Sequence, residues 1–243
     1  MLPYLEDKYA NPQSLYSAGQ EALTVIEEAR EKVAELINAQ PDEIYFTASG
    51  SESNNFALKG LALAHQSRGK HIVVSAVEHQ SILHSAQYLE KLGFKFSYIP
   101  VDKWGMVDPQ HVKKSISKET ILVSIMWANS EVGTIQPIAD IAQICREQEV
   151  IFHSDAVAAV GSIPVDVQTA GVDALSLTAS QFYGPKGSAA LYLRKGARIV
   201  PFIDGGIQEK GRRAGTENVA GIVGLGKAAE IAQKELENRT AKV

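Results

Sequence analysis

The residues best suited to chemistry begin with a run of small residues, Ser49-Gly50-Ser51, which follows an apolar run and precedes a helical pattern. Backbone N–H groups at a helix N-terminus are free to bind an anion, and the helix dipole favours negative charge there. The hydroxyl of Ser51 adds a further donor. The pattern predicts a phosphate or carboxylate site, although a capping turn without any ligand explains the same local sequence.

Three more polar residues follow predicted strands. Asp155 ends an apolar run, where an unpaired carboxylate would be costly, and capping a helix at Ala156 is one ordinary use for it. His79 lies between a strand and a helix, where a histidine is usually solvated or simply hydrogen-bonded. Asn129 suits a structural role in a turn. Their shared position matters, because ligands of a doubly wound sheet bind at the carboxyl ends of its strands.

Residues 173–187 read DALSLTASQFYGPKG. A short apolar run, small and polar residues, an aromatic pair and a Gly-Pro-Lys-Gly turn predict a buried strand that ends at a functional edge and turns back. This stretch resembles the one that carries the cofactor lysine in the class V aminotransferases, most closely the cysteine desulfurases, where the pattern is roughly S-x-S-x-H-K-x-Y-G-P-K-G. The matching residues are Ser176, Thr178, Tyr183, Gly184, Pro185, Lys186 and Gly187.

The two chemical positions of that pattern differ in this chain. Gln181 stands at the lysine position, and Ser180 stands at the adjacent histidine position. In the family the lysine holds pyridoxal phosphate as a Schiff base, which the delocalised amide nitrogen of Gln181 cannot form. Lys186 lies five residues downstream and matches a second lysine of the family, so it is not expected to substitute. The resemblance therefore implies a pyridoxal phosphate pocket that binds its cofactor noncovalently, if at all, with no catalytic residue at these positions.

Four other blocks resemble the family and occur in its order: TASGSESNN, VEHQS, the segment around NSEVGTIQP, and HSDAVAAVG. The resemblance implies that the cofactor is contacted by Gly50, Ser51, His79, Asn129, Asp155 and Thr178. Some positions depart from the family pattern. Trp127 stands where a basic residue, commonly histidine, is usual, and Ala158 replaces a glutamine that contacts the cofactor's phenolic oxygen.

A fifth block, GGIQEKGRRAGTEN, resembles a family segment whose threonine reaches the phosphate site of a neighbouring subunit. The corresponding residue is Thr216, which local sequence also makes a candidate helix N-cap. The resemblance thus implies a homodimer with sites at its interface. The resemblance to the family begins at Asn11-Pro12, and Asn11 is expected to contact the substrate.

Apolar runs alternate with helical patterns along the whole chain, and the runs are continuous rather than alternating. This is typical of a doubly wound α/β fold whose mostly parallel sheet is covered on both faces. We expect one domain, residues 1–243, equivalent to the large cofactor domain of fold type I pyridoxal enzymes. The family's N-terminal strip, and its small C-terminal domain with the sulfur-accepting cysteine and the carboxylate-binding arginine, are expected to be absent. A helix over residues 17–37 is predicted, with a cap at Ser14 or Ser17.

The composition excludes several classes of protein. A net charge of −4 and a pI near 5.9 argue against nucleic-acid binding. The single cysteine, Cys145, excludes an intrachain disulfide and a cysteine-based zinc cluster, and its helical apolar setting indicates packing rather than nucleophilic chemistry. No signal peptide, membrane span or metal site is predicted, and a reducing cytoplasmic location is expected.

Two functional hypotheses follow. The first is a cysteine desulfurase-like protein of sulfur or iron–sulfur cluster metabolism, impaired or inactive because Gln181 replaces the lysine, and working with an iron–sulfur scaffold or sulfur-acceptor protein. The alternative is a non-catalytic paralogue or fragment that acts as a binding or scaffold partner. Another fold type I activity, such as a lyase or aminotransferase, also requires the lysine. A dinucleotide-binding protein is disfavoured because no G-x-G-x-x-G follows the first strand.

Overall fold

The computed structural model of the chain describes residues 1–241, so residues 242 and 243 of the predicted domain lie outside the described part. Its centre is a seven-stranded sheet with the order β1-β7-β6-β5-β4-β2-β3. The strands are Ile44–Thr47 (β1), His71–Ser75 (β2), Lys95–Ile99 (β3), Thr120–Ser124 (β4), Ile151–Asp155 (β5), Ala174–Thr178 (β6) and Ala189–Leu193 (β7).

The strand directions give the sheet one edge at which most strands end. Strands β2 to β6 pair in parallel, while β7 runs antiparallel to both β6 and β1. Consequently β1 points the same way as β6, and six of the seven strands have their carboxyl ends together. This confirms the predicted α/β class with a mostly parallel sheet, and it places a ligand-binding edge where polar loops follow the strands.

Helices cover both faces of the sheet. Their bounds are Pro3–Glu6 (α1), Ser17–Leu36 (α2), Gly50–His65 (α3), Gln80–Lys91 (α4), Pro109–Ser115 (α5), Ile138–Glu147 (α6), Val167–Ala170 (α7), Gln208–Gly211 (α8) and Val219–Thr240 (α9). One core cluster lies under α3 and α4, and the other lies under α2, α5, α6 and α9. Burial on both faces explains why the strands are continuous apolar runs.

The longer elements were predicted closely because their apolar periodicity is strong. The helix predicted over residues 17–37 is α2, and the antiparallel return predicted after the Gly-Pro-Lys-Gly turn is β7. The helices of four residues, α1, α7 and α8, were not predicted, since so few residues show no period.

Two predicted caps are wrong. The N-cap of α2 is Tyr16, which makes no side-chain cap, so neither Ser14 nor Ser17 has this role. The N-cap of α9 is Asn218, whose Oδ1 accepts from the N–H of Gly221, so Thr216 lies outside the helix. The alternative role of Asp155, capping a helix at Ala156, is not observed, because no helix of residues 1–241 starts there and the carboxylate accepts from the backbone N–H of Val157. Cap residues of similar chemistry lie close together in these loops, and the backbone path selects among them.

Candidate functional site

A cavity of about 400 Å³ opens at the carboxyl edge of the sheet, and we call it the carboxyl-edge cavity. It combines the loops that follow β1, β2, β4, β5 and β6, as expected for a doubly wound sheet. Its lining residues are Ala48, Ser49, Gly50, Ser51, Asn54, His79, Met126, Ala128, Ser130, Glu131, Asp155, Val157, Ala158, Thr178, Ser180, Gln181, Lys186 and Gly187. Its volume lies in the range of roughly 300–1,000 Å³ that is usual for cofactor and small-molecule sites.

One end of the cavity is suited to an anion. The side chain of Ser49 caps α3 by accepting from the N–H of Glu52 at 3.1 Å, so the helix begins at Gly50 rather than two residues later. The N–H groups of Gly50 and Ser51 lie in the first turn, where a helix provides no backbone acceptors. The capping turn therefore leaves these two N–H groups available to an anion, because the cap uses a different N–H group.

Gly50 is required by close packing against the loop after β5. A Cβ atom at this position would lie 2.6 Å from Cγ2 of Val157, which is shorter than any normal contact. The small residue thus lets the start of α3 approach the strand-end loop and brings the anion-binding end near Asp155. Sequence reasoning placed Gly50 at the site for its backbone, and packing is a second reason for it.

Asp155 supplies a buried carboxylate to the same cavity. Only 5% of its surface is exposed. Its Oδ1 accepts from the N–H of Val157 at 3.0 Å, and its Oδ2 accepts from Nδ2 of Asn54 at 2.6 Å. Burial raises the pKa of Asp155, while these two bonds and the charge of His79 oppose the rise. Since none of the ion pairs within residues 1–241 involves it, this carboxylate is suited to a cationic group of a ligand.

His79 forms part of the cavity wall and also caps a helix. Its Nδ1 accepts from the backbone N–H of Ser81 at 3.2 Å, at the start of α4. The imidazole is therefore fixed by the backbone, and its Nε2 is the ring nitrogen left for a ligand. His79 is thus hydrogen-bonded, as a loop histidine usually is, and it also lines the cavity.

The end of β6 contributes Thr178, whose Oγ1 lies 3.4 Å from the carbonyl oxygen of Ser188. Ser180 and Gln181 follow in a 3₁₀ turn, and both line the cavity. Lys186 lines it from the next turn. The position matched to a lysine in the family pattern is thus at the site, but it carries an amide.

The structure does not bring all the expected residues into this cavity. Asn129 is buried in a turn, where its Oδ1 accepts from the N–H groups of Glu131 and Val132, and it is not a lining residue. Asn11 and Thr216 line a separate cavity of about 450 Å³ beside α1 and the start of α9. Gly50, Ser51, His79, Asp155 and Thr178 are brought together.

The site can be compared with known proteins on this basis. A family model described as Aminotransferase class-V matches residues 1–242. The chain belongs to the class-V aminotransferase family. The similarity extends from the first helix to the last, so all the loops of the carboxyl-edge cavity lie within the matched region.

Among class-V aminotransferase relatives, the chain is similar to enzymes named cysteine desulfurase IscS. The protein from Dictyoglomus turgidum is 54% identical over 243 residues, and that from Methanosarcina thermophila is 51% identical over 242 residues. These matches cover 100% and 99% of this chain, but only 62% and 60% of the two relatives. The chain thus spans about three fifths of the length of these proteins.

Solved class-V aminotransferase-like structures share the fold. A NifS-like protein superimposes with a TM-score of 0.95 at 44% identity, over 98% of this chain and 66% of that one. SspA in complex with cysteine gives a TM-score of 0.91 at 40% identity, over 94% of this chain and 66% of its own. These likenesses agree with the α/β fold and the sheet described above.

Two further features concern the described residues alone. Within residues 1–241 no helix is long and apolar enough to cross a membrane. In the same part of the chain, no cluster of three or more histidine, cysteine or acidic side chains could hold a metal ion.

Cys145 is buried, and burial raises the pKa of its thiol to about 12. The thiol is therefore protonated at neutral pH and is a packing group.

Sequence reasoning missed two buried residues of the site, Asn54, which lines the cavity, and Glu78, which precedes His79. Glu78 accepts from Oγ of Ser75 at 2.5 Å and from the N–H of Met126 at 2.8 Å, while its second oxygen has no partner within the described chain. Burial raises its pKa to about 8. In the sequence, Asn54 lies inside TASGSESNN and Glu78 inside VEHQS, but the resemblance implied no role for either residue.

The raised pKa of Glu78 predicts a pH-dependent stability. Glu78 binds its proton more tightly in the folded state than in the unfolded state. The resulting contribution to the free energy of unfolding is fully present below the unfolded pKa of 4.5 and is lost as the pH rises through about 8. We expect Glu78→Gln to have the wild-type free energy of unfolding near pH 5 and to exceed it near pH 9, by on the order of a few kcal/mol. Urea denaturation at both pH values measures this.

The control for this prediction is Glu28→Gln, which changes an exposed glutamate on α2. It should leave the difference between the two pH values as in the wild type. A Glu78→Gln protein whose pH dependence matches that of the wild type would contradict the prediction.

Proposed function

We propose that the carboxyl-edge cavity binds pyridoxal phosphate noncovalently, as a cysteine desulfurase-like site of sulfur or iron–sulfur metabolism. The observation that carries the proposal is a pair of complementary groups in one cavity: a helix N-terminus with free N–H groups, and the buried carboxylate of Asp155, which forms no ion pair within residues 1–241. A phosphorylated pyridinium carries both matching charges. The motif resemblance and the similarity to cysteine desulfurases support the same ligand.

Each residue of the cavity has a defined part in this proposal. Gly50 and Ser51 would hold the phosphate with backbone N–H groups and a hydroxyl, and Thr178 adds a second hydroxyl. Asp155 would keep the ring nitrogen protonated, and His79 would lie against the ring. When bound, pyridoxal phosphate supplies a ring that accepts electrons from a substrate carbanion, and a protonated ring nitrogen strengthens this effect.

Gln181 and Ser180 would limit the chemistry. A carboxamide offers no amine for covalent attachment, and it cannot carry a proton to and from a substrate carbon. The protonated, buried thiol of Cys145 is no sulfur acceptor. We therefore propose that the chain as it stands does not turn over L-cysteine efficiently.

The wider biology follows from the family and remains part of the proposal. The chain corresponds to the large cofactor domain, and it works in the cytoplasm as a homodimer in which Thr216 completes the phosphate site of its neighbour. Thr216 does not line the carboxyl-edge cavity of its own chain, which supports this arrangement, and it lines a neighbouring cavity that shares Ala48 and Gly187 with it. Asn11 is proposed to contact the substrate. An iron–sulfur scaffold or a sulfur-acceptor protein is the expected partner.

Calorimetric titration with pyridoxal phosphate tests the proposal. We expect saturable binding, at least about tenfold weaker binding of pyridoxal, which lacks the phosphate, and a loss of about 10- to 100-fold in Asp155→Ala, because a charge-assisted bond is removed. The matched control Asp140→Ala removes an exposed carboxylate on α6 and should bind as the wild type does. No binding at millimolar pyridoxal phosphate, or equal binding of both compounds, would refute it.

A non-catalytic role is the second candidate, and one observation favours it. Ala158, Ser180 and Gln181 all line the cavity, and all three differ from the family pattern, which has at positions 158 and 181 residues that contact or hold the cofactor. A paralogue that binds a true desulfurase or a scaffold would tolerate these losses together. Sulfide release from L-cysteine by the purified chain would exclude this candidate, while cofactor binding without sulfide release is compatible with it.

A further inference from the structure

A continuous set of hydrogen bonds joins Asp155 and His79, two titratable residues of the proposed cofactor pocket. Nδ2 of Asn54 donates to Oδ2 of Asp155 at 2.6 Å and to Oγ of Ser81 at 2.8 Å. Oγ of Ser81 in turn lies 2.7 Å from Nδ1 of His79. One buried amide on α3 thus connects the end of β5 with the start of α4.

The direction of each bond follows from the donors involved. The backbone N–H of Ser81 can only donate, so Nδ1 of His79 must carry a lone pair. The hydroxyl of Ser81 can then donate to Nδ1 while its oxygen accepts from Asn54. A neutral His79 in this arrangement carries its proton on Nε2, the nitrogen that the helix cap does not use.

The orientation of the Asn54 amide is fixed by its neighbours. A flipped amide would place its carbonyl oxygen 2.6 Å from a carboxylate oxygen, where two acceptors repel. In the orientation observed, Oδ1 of Asn54 is buried and has no hydrogen-bond partner within residues 1–241. A buried acceptor without a hydrogen bond is energetically costly. The two hydrogen bonds that Nδ2 donates therefore determine the orientation of the Asn54 amide, and its oxygen does not.

We propose that Asn54 and Ser81 are positioning residues that fix the Nε2–H tautomer of His79 and hold the carboxylate of Asp155 in place. The proposal rests on the proposed pyridoxal phosphate site for its functional meaning. Asn54 is 1% exposed, so Asp155 and His79 are coupled through the interior and not through solvent.

The tautomer is measured in the ligand-free protein by ¹⁵N NMR of its imidazoles at about pH 8.5, where an ordinary histidine is neutral. The chain has six histidines, so the signal of His79 is assigned by its loss in His79→Gln. We expect Nε2–H to dominate in the wild type. In Ser81→Ala the ratio of Nε2–H to Nδ1–H should fall about 2- to 10-fold, which is the worth of one neutral hydrogen bond.

Three further variants separate positioning from general structure. Ser81→Thr keeps a hydroxyl and should restore the ratio. Asn54→Ala should lower it, although Asn54 does not touch His79. Ser85→Ala removes another hydroxyl of α4, one that bonds only to the backbone oxygen of Ser81, and should have no effect.

A dominant Nδ1–H tautomer in the wild type overturns the proposal, as does an equal ratio in Ser81→Ala and the wild type. Pyridoxal phosphate affinity of the same proteins tests the functional part. It should fall about 2- to 10-fold in Ser81→Ala and stay unchanged in Ser85→Ala. An unchanged affinity beside a shifted tautomer overturns the role in binding. Failure of the wild type to bind pyridoxal phosphate refutes the proposed function, but it leaves the tautomer measurement intact.

Discussion

Replacing Gln181 with lysine is expected to convert reversible binding of pyridoxal phosphate into a covalent link that borohydride fixes at one adduct per chain. The side chain at this position lines the carboxyl-edge cavity, so its Nζ would lie in the compartment of the ligand. A lysine amine condenses with an aldehyde, with loss of water, whereas the delocalised amide of glutamine does not. The measurement is mass spectrometry of the reduced protein, with the modified peptide identified.

Lys186 provides the internal control for this experiment, because it lines the same cavity in the wild type. We expect no stoichiometric adduct on it, and the double variant Gln181→Lys, Lys186→Arg should be modified as fully as the single one. A stoichiometric adduct on Lys186 of the wild-type chain would contradict the prediction and would favour a catalytic function for the protein. An unmodified residue 181 in the single variant would place that position away from the aldehyde.

The largest effect on stability is expected from Glu209→Ala. The carboxylate of Glu209 binds the guanidinium of Arg30 through two bonds of 2.8 and 2.9 Å and also accepts from the N–H of Phe46 at 2.8 Å. Burial lowers the pKa of Arg30, but the bonds to Glu209 outweigh this and raise it overall. In Glu209→Ala, Arg30 keeps its bond to the half-exposed Glu27 at 3.1 Å but loses its buried partner, and the loss of a buried partner costs about 3–5 kcal/mol. Urea denaturation measures the loss.

This ion pair also holds the backbone of the loop that leads to Thr216. Glu209 and Lys210 have φ angles of +46° and +59°, in the left-handed region that non-glycine residues seldom adopt. The matched control is Glu21→Ala, which breaks an exposed pair with Lys8 and should cause no measurable change. A loss below about 1 kcal/mol in Glu209→Ala would show that the buried pair contributes no more than a surface pair.

Much of the fold was predictable because its elements are long and their apolar patterns are regular. Continuous apolar runs gave the strands, and a helical period gave α2 and α6. The N-cap positions at Tyr16 and Asn218 were not predictable, since several residues of suitable chemistry lie within one turn of each helix start. Which residue caps a helix depends on the direction from which the chain enters it.

The candidate site was predictable where a residue directly follows a strand. Asp155 and Thr178 are the last residues of their strands, while Gly50, Ser51 and His79 lie in the segments just beyond theirs, and all five meet because parallel strands end at one edge. Asn129 also follows a strand, yet its amide closes the turn in which it lies. The backbone N–H groups within its reach decide that outcome, and they are not visible in the residue type.

By itself, the sequence determined the α/β class, the edge of the sheet that carries the site, and the presence of an amide where a lysine is expected. Only the tertiary structure decided that Asn54 joins Asp155 to Ser81, and that Arg30 and Glu209, 179 residues apart, form a buried pair. Periodicity and motifs record which residues face the core or follow a strand. Contacts between distant side chains arise only once packing has fixed how the helices lie against the sheet.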